Sequence, residues 1–314
     1  MEEPEDSRLM ENEMGLGDCL MMNFVSSAGL HRLLLVLACI AIIGGCSTFG
    51  SESKPAAVPE VGSDLLAGNL PINALLAGYL PTQALPNSLA LLPLPPAVGS
   101  VEFALDEDVA GRSFTLRGTP RFTLALSDYD LRFPHAAGTF SCALNAPITE
   151  QDAPHLFRLL RRTMTDVGLS TYAAKDHYKR IRPFTLNNEP ICAPETKAEL
   201  EKDGSYPSGH TAVGWAWALI LAEISPEQTD AILARGRAFG ESRYICNHHW
   251  YSDVVWGRFM GAATVARLHA DPTFRADMEA AKAELAAVRA KSLKPTRDCN
   301  MEASAMTLHL PLSR

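Results

Sequence analysis

Residues 210–224, "HTAVGWAWALILAEI", are apolar on nearly every side. A helix of that composition has no solvent face, so it belongs at the centre of a bundle with other helices packed around it. The chain from about residue 148 onward keeps the helical period. "ITEQDAPHLFRLLRRTMTDVG" puts Pro154 at a helix start, Leu156, Phe157, Leu160 and Met164 among its apolar positions, and Gly168 as its stop. "SPEQ", 225–228, reads as a capping box that opens a helix towards Arg243. Another helix begins at Tyr251 or Ser252, where Gly257, Gly261, Ala262 and Ala263 allow close packing; a last amphipathic one runs from Asp271-Pro272 to about Lys291. Strand-like alternation is scarce and there is no internal repeat. The expected fold class is all-α, a helical bundle.

Residues 55–100 are rich in Pro and Leu, which precludes long helices. They read as short turns wrapping a neighbouring domain or subunit, and the chain is expected to form a homodimer. The organisation expected is a leader over 1–45, a flexible tether over 46–74, a single α-helical domain over 75–292 and a tail over 293–314.

The leader reading rests on residues 33–43, "LLLVLACIAII", an apolar run after His31 and Arg32 that is too short to span a bilayer comfortably. "IGGCS" follows, and small residues before Cys46 resemble a lipoprotein signal. Export to the periplasm is therefore expected, with a lipidated Cys46 as anchor to the outer membrane. The acidic stretch 1–20 fits no signal pattern, so Met21 or Met22 is taken as the true start. Of the net charge of −8, residues 1–45 hold seven acidic and two basic side chains. No long basic run exists, which gives no footprint for nucleic acid. Any anionic ligand must be drawn by a local cluster. An oxidising compartment allows disulfides among Cys142, Cys192, Cys246 and Cys299. The expected pairing is Cys142–Cys192 with Cys246–Cys299; the alternative is four buried thiols.

Three clusters carry chemistry. "AAKDHYKRIRPF" holds Lys175 and Arg182, seven apart and so two helical turns, able to point the same way. Guanidinium forks match phosphate oxygens bidentately and a Lys acts as a point charge. "DGSYPSGHTAVGW" runs a turn, with Ser208, Gly209 and His210, into the start of the apolar helix. The first amides of a helix lack internal partners and the dipole is positive there, which suits an anion, phosphate above all. "ESRYICNHHWYSD" holds Arg243, His248, His249 and Asp253. Residues four apart on a helix are turned about 40° from each other and five apart about 140°. His249 therefore shares a face with Asp253, and His248 does not. A carboxylate beside an imidazole fixes its tautomer and leaves the far nitrogen free as base or nucleophile. His248 is left to packing or support.

Taken in order, Lys-x6-Arg-Pro (175–183), Pro-Ser-Gly-His (207–210) and Ser-Arg-x5-His-x3-Asp (242–253) resemble the three-part signature of the type 2 phosphatidic acid phosphatase superfamily, which also holds vanadium haloperoxidases. The surrounding "FSCAL", "AKDHYKRIRPF", "DGSYPSGHTAVGWAWALILAE" and "ARGRAFGESRYICNHHWYSD" are similar to class A bacterial non-specific acid phosphatases, over roughly residues 75–290. His248 and Tyr251 depart from that pattern at variable positions, and a lipidation signal is not part of it. The resemblance implies metal-independent hydrolysis of small phosphate monoesters with no cofactor. Lys175, Arg182 and Arg243 would hold the phosphoryl oxygens, with the backbone amides around Ser208, Gly209 and His210. His249 would attack phosphorus, Asp253 would orient it, and His210, protonated, would serve the leaving alcohol.

Other readings make different demands. The same cradle would suit a vanadate-dependent haloperoxidase or a lipid-phosphate phosphatase. Zinc ligation by His210, His248, His249 and Asp253 would bring a cation against Arg243, Arg182 and Lys175. "FTLALSDYDLRF", with Asp128 and Asp130, is reminiscent of aspartate-nucleophile phosphatases, but Arg132 stands where Thr or Val is needed; Asp130 is expected to be a loop or cap residue. A binding lipoprotein without catalysis would not need the intact set.

Overall fold

The computed structural model describes residues 76–310; the expected leader, Cys46 and the tether to residue 74 lie outside them. In chain order the helices are α1 (Ser88–Leu91), α2 (Val101–Ser113), α3 (Pro120–Ser127), α4 (Ser141–Leu144), α5 (Pro154–Ser170), α6 (Tyr172–Tyr178), α7 (Pro183–Asn187), α8 (Lys197–Leu200), α9 (Gly209–Ile224), α10 (Thr229–Ile245), α11 (Tyr251–Leu268), α12 (Pro272–Ala290) and α13 (Cys299–Met306). The described residues contain no β-strand, and the fold is all-α. Among them no helix is long and apolar enough to cross a membrane.

α9 is the central helix that its composition demanded. Val213, Ala216, Trp217, Ile220 and Leu221 are buried, and α5, α10, α11 and α12 pack around it. Trp217 donates its Nε1–H to the Leu160 carbonyl of α5 at 3.0 Å, so its polar atom is satisfied inside the core. Gly257 and Gly261 bring α11 against α9. A Cβ at 257 would stand 2.6 Å from the Ser208 carbonyl oxygen, and one at 261 would strike the Ala212 carbonyl. That close approach ties two of the motifs together: the Ser208 N–H donates to the Asp253 carbonyl at 3.0 Å.

Several helix ends differ from expectation, each for a local reason. α5 runs past Gly168 to Ser170. A helical glycine costs about 1 kcal/mol relative to alanine, and contacts with α9, α11 and α12 outweigh that. At its other end Glu284 of α12 accepts from His155 N at 3.0 Å and Leu156 N at 2.9 Å, a carboxylate cap borrowed from a neighbour. "SPEQ" makes a short 3-10 turn, Pro226–Gln228, and not a capping box. Arg289 draws the Ser225 hydroxyl, at 2.6 Å, and the Glu227 and Gln228 side chains towards α12 and away from the backbone.

The disulfides are Cys142–Cys299 and Cys192–Cys246, not the expected pairs. The Cys192 N–H donates to the Cys246 carbonyl at 3.3 Å, which sets these two side by side. The other bridge joins α4 to α13, so the segment expected as a tail is docked structure. α13 packs on α3, Asp298 caps it through Asn300 N and Met301 N, both at 3.0 Å, and Glu302 pairs with Arg235 at 3.1 Å. Arg235 also pairs with Asp128, which accepts from the Ser242 hydroxyl at 2.7 Å. Buried charges of this kind are tolerated only when fully partnered. Here they fix the end of α3 and the loop that follows it.

Candidate active site

A cavity of about 300 Å³ opens where the starts of α9 and α11, the end of α10 and the α6–α7 connection meet. Lys175, Arg182, Gly209, His210, Arg243 and His249 all line it. Ser208 and Asp253 are buried behind them. The three stretches singled out in the sequence thus converge.

Lys175 and Arg182 arrive differently from the way the spacing suggested. No single helix carries both. α6 stops at Tyr178, Lys179 turns with φ of 42°, and Arg182 is extended ahead of α7. The turn folds the second cation back towards the first. Asp203 lies between them, 3.3 Å from Lys175 Nζ and 2.8 Å from Arg182 Nη2. Lys175 also donates to the Gly204 carbonyl at 2.5 Å. Arg182 is held by carbonyls as well: Nε donates to Leu200 at 2.9 Å and Asp203 at 3.0 Å, and Nη1 to His248 at 2.9 Å. Burial lowers both pKa values, and Asp203 opposes the shift.

Arg243 has no such carboxylate. It is almost fully buried near the end of α10. Its Nη2 donates to His248 Nδ1 at 2.7 Å, while Nε and Nη1 have no hydrogen-bond partner among the described residues. Burial, with Arg182 adding to it, holds its pKa down to about 9.

His249 precedes α11 and does not lie on it. Its proximity to Asp253 comes from the helix entry, where Asp253 Oδ2 accepts from Trp250 N at 2.9 Å. The His249 Nδ1–H donates to the Ser205 carbonyl at 2.9 Å, with Asp253 Oδ2 at 3.4 Å. A carbonyl can only accept, so the proton sits on Nδ1 and the Nε2 lone pair is the acceptor, taking a hydrogen bond from Arg182 Nη1 at 3.1 Å. Behind it Arg180 pairs with Asp253 at 2.6 Å and with Asp106 of α2 at 2.7 Å.

His210 donates Nε2–H to the Tyr129 carbonyl at 3.0 Å, and its ring stacks on that of Tyr129 with centroids 6.1 Å apart. Burial first, then Arg243, pushes its pKa well below the usual histidine range. His249 is pushed the same way by burial and Arg182. The protonated His210 expected from the sequence is thus not the state the cation-rich cavity favours without an anion. Ser208 caps α9, its Oγ accepting from Thr211 N at 3.3 Å.

Sequence reading passed over Asp203, Tyr129, and the Arg180–Asp106 pair. Asp203 and Arg180 were inside strings already quoted. Nothing local marked them, because their partners lie 21 to 74 residues away. The Asp128–Asp130 decoy resolves as expected for a loop: Asp130 accepts from Arg132 N at 2.9 Å and Nε at 2.8 Å.

A family model described as the PAP2 superfamily matches residues 159–276. The chain is 45% identical over 212 residues to a non-specific acid phosphatase of Providencia stuartii, covering 67% of this chain and 86% of that one. It is 39% identical over 218 residues to an acid phosphatase of Zymomonas mobilis, covering 69% and 83%, and 39% identical over 200 residues to a non-specific acid phosphatase of Salmonella typhimurium, covering 63% and 80%. The chain belongs to the class A bacterial non-specific acid phosphatases of the PAP2 superfamily.

Proposed function

We propose that this acid phosphatase hydrolyses phosphate monoesters through a phosphohistidine on His249, without a metal ion. The observation that carries the reading is Arg243, a buried guanidinium whose Nε and Nη1 have no hydrogen-bond partner among the described residues, beside two more cations that share one carboxylate. A buried charge without a partner is costly, and a phosphoryl group supplies the missing acceptors and the missing negative charge. Phosphoryl transfer needs positioning and charge stabilisation above all, which fixed Lys and Arg provide where other enzymes use metal ions. A cation seated among the histidines would face Arg182 and Arg243, which oppose it.

The steps follow from the tautomers. The His249 Nε2 lone pair attacks phosphorus while the ester P–O bond breaks. Arg182 passes its Nη1–H from that lone pair to a phosphoryl oxygen. The amides opening α9 face another oxygen. His210 gives a proton to the leaving alkoxide through Nδ1, since Nε2–H is held by Tyr129. It then takes a proton from water, which attacks phosphorus, breaks the P–N bond and releases phosphate.

Phosphate release from a chromogenic phosphomonoester, measured across pH in excess chelator, tests this, with His249→Ala as control. Labelled substrate quenched in alkali should leave phosphate on the wild type and none on the variant. Full turnover by His249→Ala, or loss of activity in chelator, would end the reading. It includes export to the periplasm with a lipid on Cys46. The two disulfides support an oxidising compartment. Incorporation of labelled palmitate that survives Cys46→Ala would remove the anchor.

A further inference from the structure

His248 fills a position that the signature leaves variable, yet it is fully buried and touches both arginines of the cradle. Its carbonyl accepts from Arg182 Nη1 at 2.9 Å. Its ring meets Arg243 Nη2 at 2.7 Å through Nδ1. Guanidinium has donors only, so Nδ1 is the acceptor and the ring proton sits on Nε2. The backbone enforces the contact. Asn247, with φ of 59°, turns the chain after α10, and the His248 N–H reaches the Arg243 carbonyl at 3.0 Å. Both ends of the same residue are thereby folded onto Arg243. Tyr129 packs against both, its ring 5.7 Å from Arg243 Cζ and 5.4 Å from the His248 ring. Arg243 makes no other side-chain hydrogen bond among the described residues. His248 does not itself line the cavity.

We propose that His248 is a positioning residue for the transfer step: its Nδ1 anchors Nη2 and so aims the Arg243 guanidinium, which lines the cavity, at the phosphoryl group. The inference rests on the phosphoryl-binding role given to Arg243 above. A carboxylate at this place would hold Arg243 as well, but would cancel the charge the ligand needs. A neutral imidazole orients without neutralising. Its surroundings keep it neutral. Burial above all, then Arg243 of α10, adjacent His249, Arg182 ahead of α7 and His210 of α9, which face it, push its pKa well below the usual range. Protonation would set an N–H against a guanidinium and undo the aim; the cluster holds that off into acid.

The experiment compares His248→Ala, His248→Asn, Arg243→Ala and the double Ala variant in the full chain, by kcat, KM and vanadate inhibition, with thermal melts as a folding check. Arg243→Ala is expected to lower kcat/KM by about 10³-fold. His248→Ala should lower it by about 10²-fold at most, the scale of a misaimed group, and weaken vanadate. Asn, whose Oδ1 can stand where Nδ1 stands, should restore most of the loss. In the Arg243→Ala background, His248→Ala should cost nothing more. Should the Ala variant fail to fold, His248→Leu replaces it. Near-normal activity of Arg243→Ala would overturn the cradle and this inference together. An impaired Arg243→Ala with an unimpaired His248→Ala, an Asn variant no better than Ala, or an undiminished His248 effect without Arg243, would overturn the positioning role alone.

Discussion

His249 and Ser205 are joined by a hydrogen bond of 2.9 Å from ring Nδ1–H to carbonyl oxygen, shorter than the 3.4 Å to Asp253 Oδ2. The tautomer of the His249 ring is thus set by the backbone of the α8–α9 connection, and the carboxylate adds to an orientation already present. Asp253→Asn should lower kcat by about 10–10²-fold, the scale seen for supporting partners of a reactive histidine, while His249→Ala removes the phosphoenzyme. Arg180 keeps Asp106 at 2.7 Å in the variant, so folding is retained. Turnover numbers for the two variants decide it; equal losses would return the tautomer to Asp253.

The depressed pKa values of His210, His248 and His249 make the cavity a place where binding and protonation are linked. Each ring stays neutral in the empty site to well below its ordinary range because burial and the facing cations disfavour a further charge. An oxyanion reverses the field at His210, and the acid role proposed for it would need a second proton on Nδ1, since Nε2–H is committed to Tyr129. Vanadate binding near pH 6 is therefore expected to take up close to one proton more in the wild type than in His210→Gln. Calorimetry in buffers of differing ionisation heat measures it. Identical uptake in the two proteins would remove His210 from the acid role.

Much of the fold was legible because α9 is apolar nearly all round and its neighbours are strongly periodic. The site was legible because Lys175, Arg182, Gly209, His210, Arg243 and His249 sit at motif spacings. What was not legible depended on tertiary docking. Lys175 and Arg182 meet through a left-handed turn at Lys179 and not along one helix. The cysteines pair according to where α13 lands. α13 itself has 8 residues, too few for a periodic signal. Arg180 gave no sign of its role because Asp106, its partner, belongs to α2.

Asp203 restrains the cradle electrostatically as well as geometrically. It lies within 3.3 Å of Lys175 and 2.8 Å of Arg182, on the cavity wall. Arg182 keeps the carbonyls of Leu200, Asp203 and His248 without that carboxylate, so its position survives Asp203→Asn and the charge change prevails. The variant should bind phosphate about tenfold more tightly, a modest share of a screened charge–charge interaction. Competitive inhibition by phosphate reads this directly. Weaker inhibition would mean that Asp203 places the cations more than it neutralises them.

Asp166 supplies a pH dependence of stability separate from the site. It is buried in α5 and accepts from Tyr79 N at 2.8 Å and Leu80 N at 3.1 Å, fastening the segment ahead of α1 to the bundle. Desolvation outweighs those two bonds and pushes its pKa up to about 6, against about 3.9 in an unfolded chain. A raised carboxyl pKa means that the folded state holds the proton more tightly. Its contribution is full below about pH 4, falls as pH climbs towards 6 and is gone above that. A shift of about two units corresponds to roughly 2–3 kcal/mol at most. Asp166→Asn removes the titration, so the stability gap between variant and wild type should move in the variant's favour by about that amount between pH 4 and pH 7.5. The buried histidines contribute equally to both proteins and cancel in the difference. Urea unfolding at the two pH values measures it, and a gap that stays constant would show that Asp166 is ionised in the folded protein throughout.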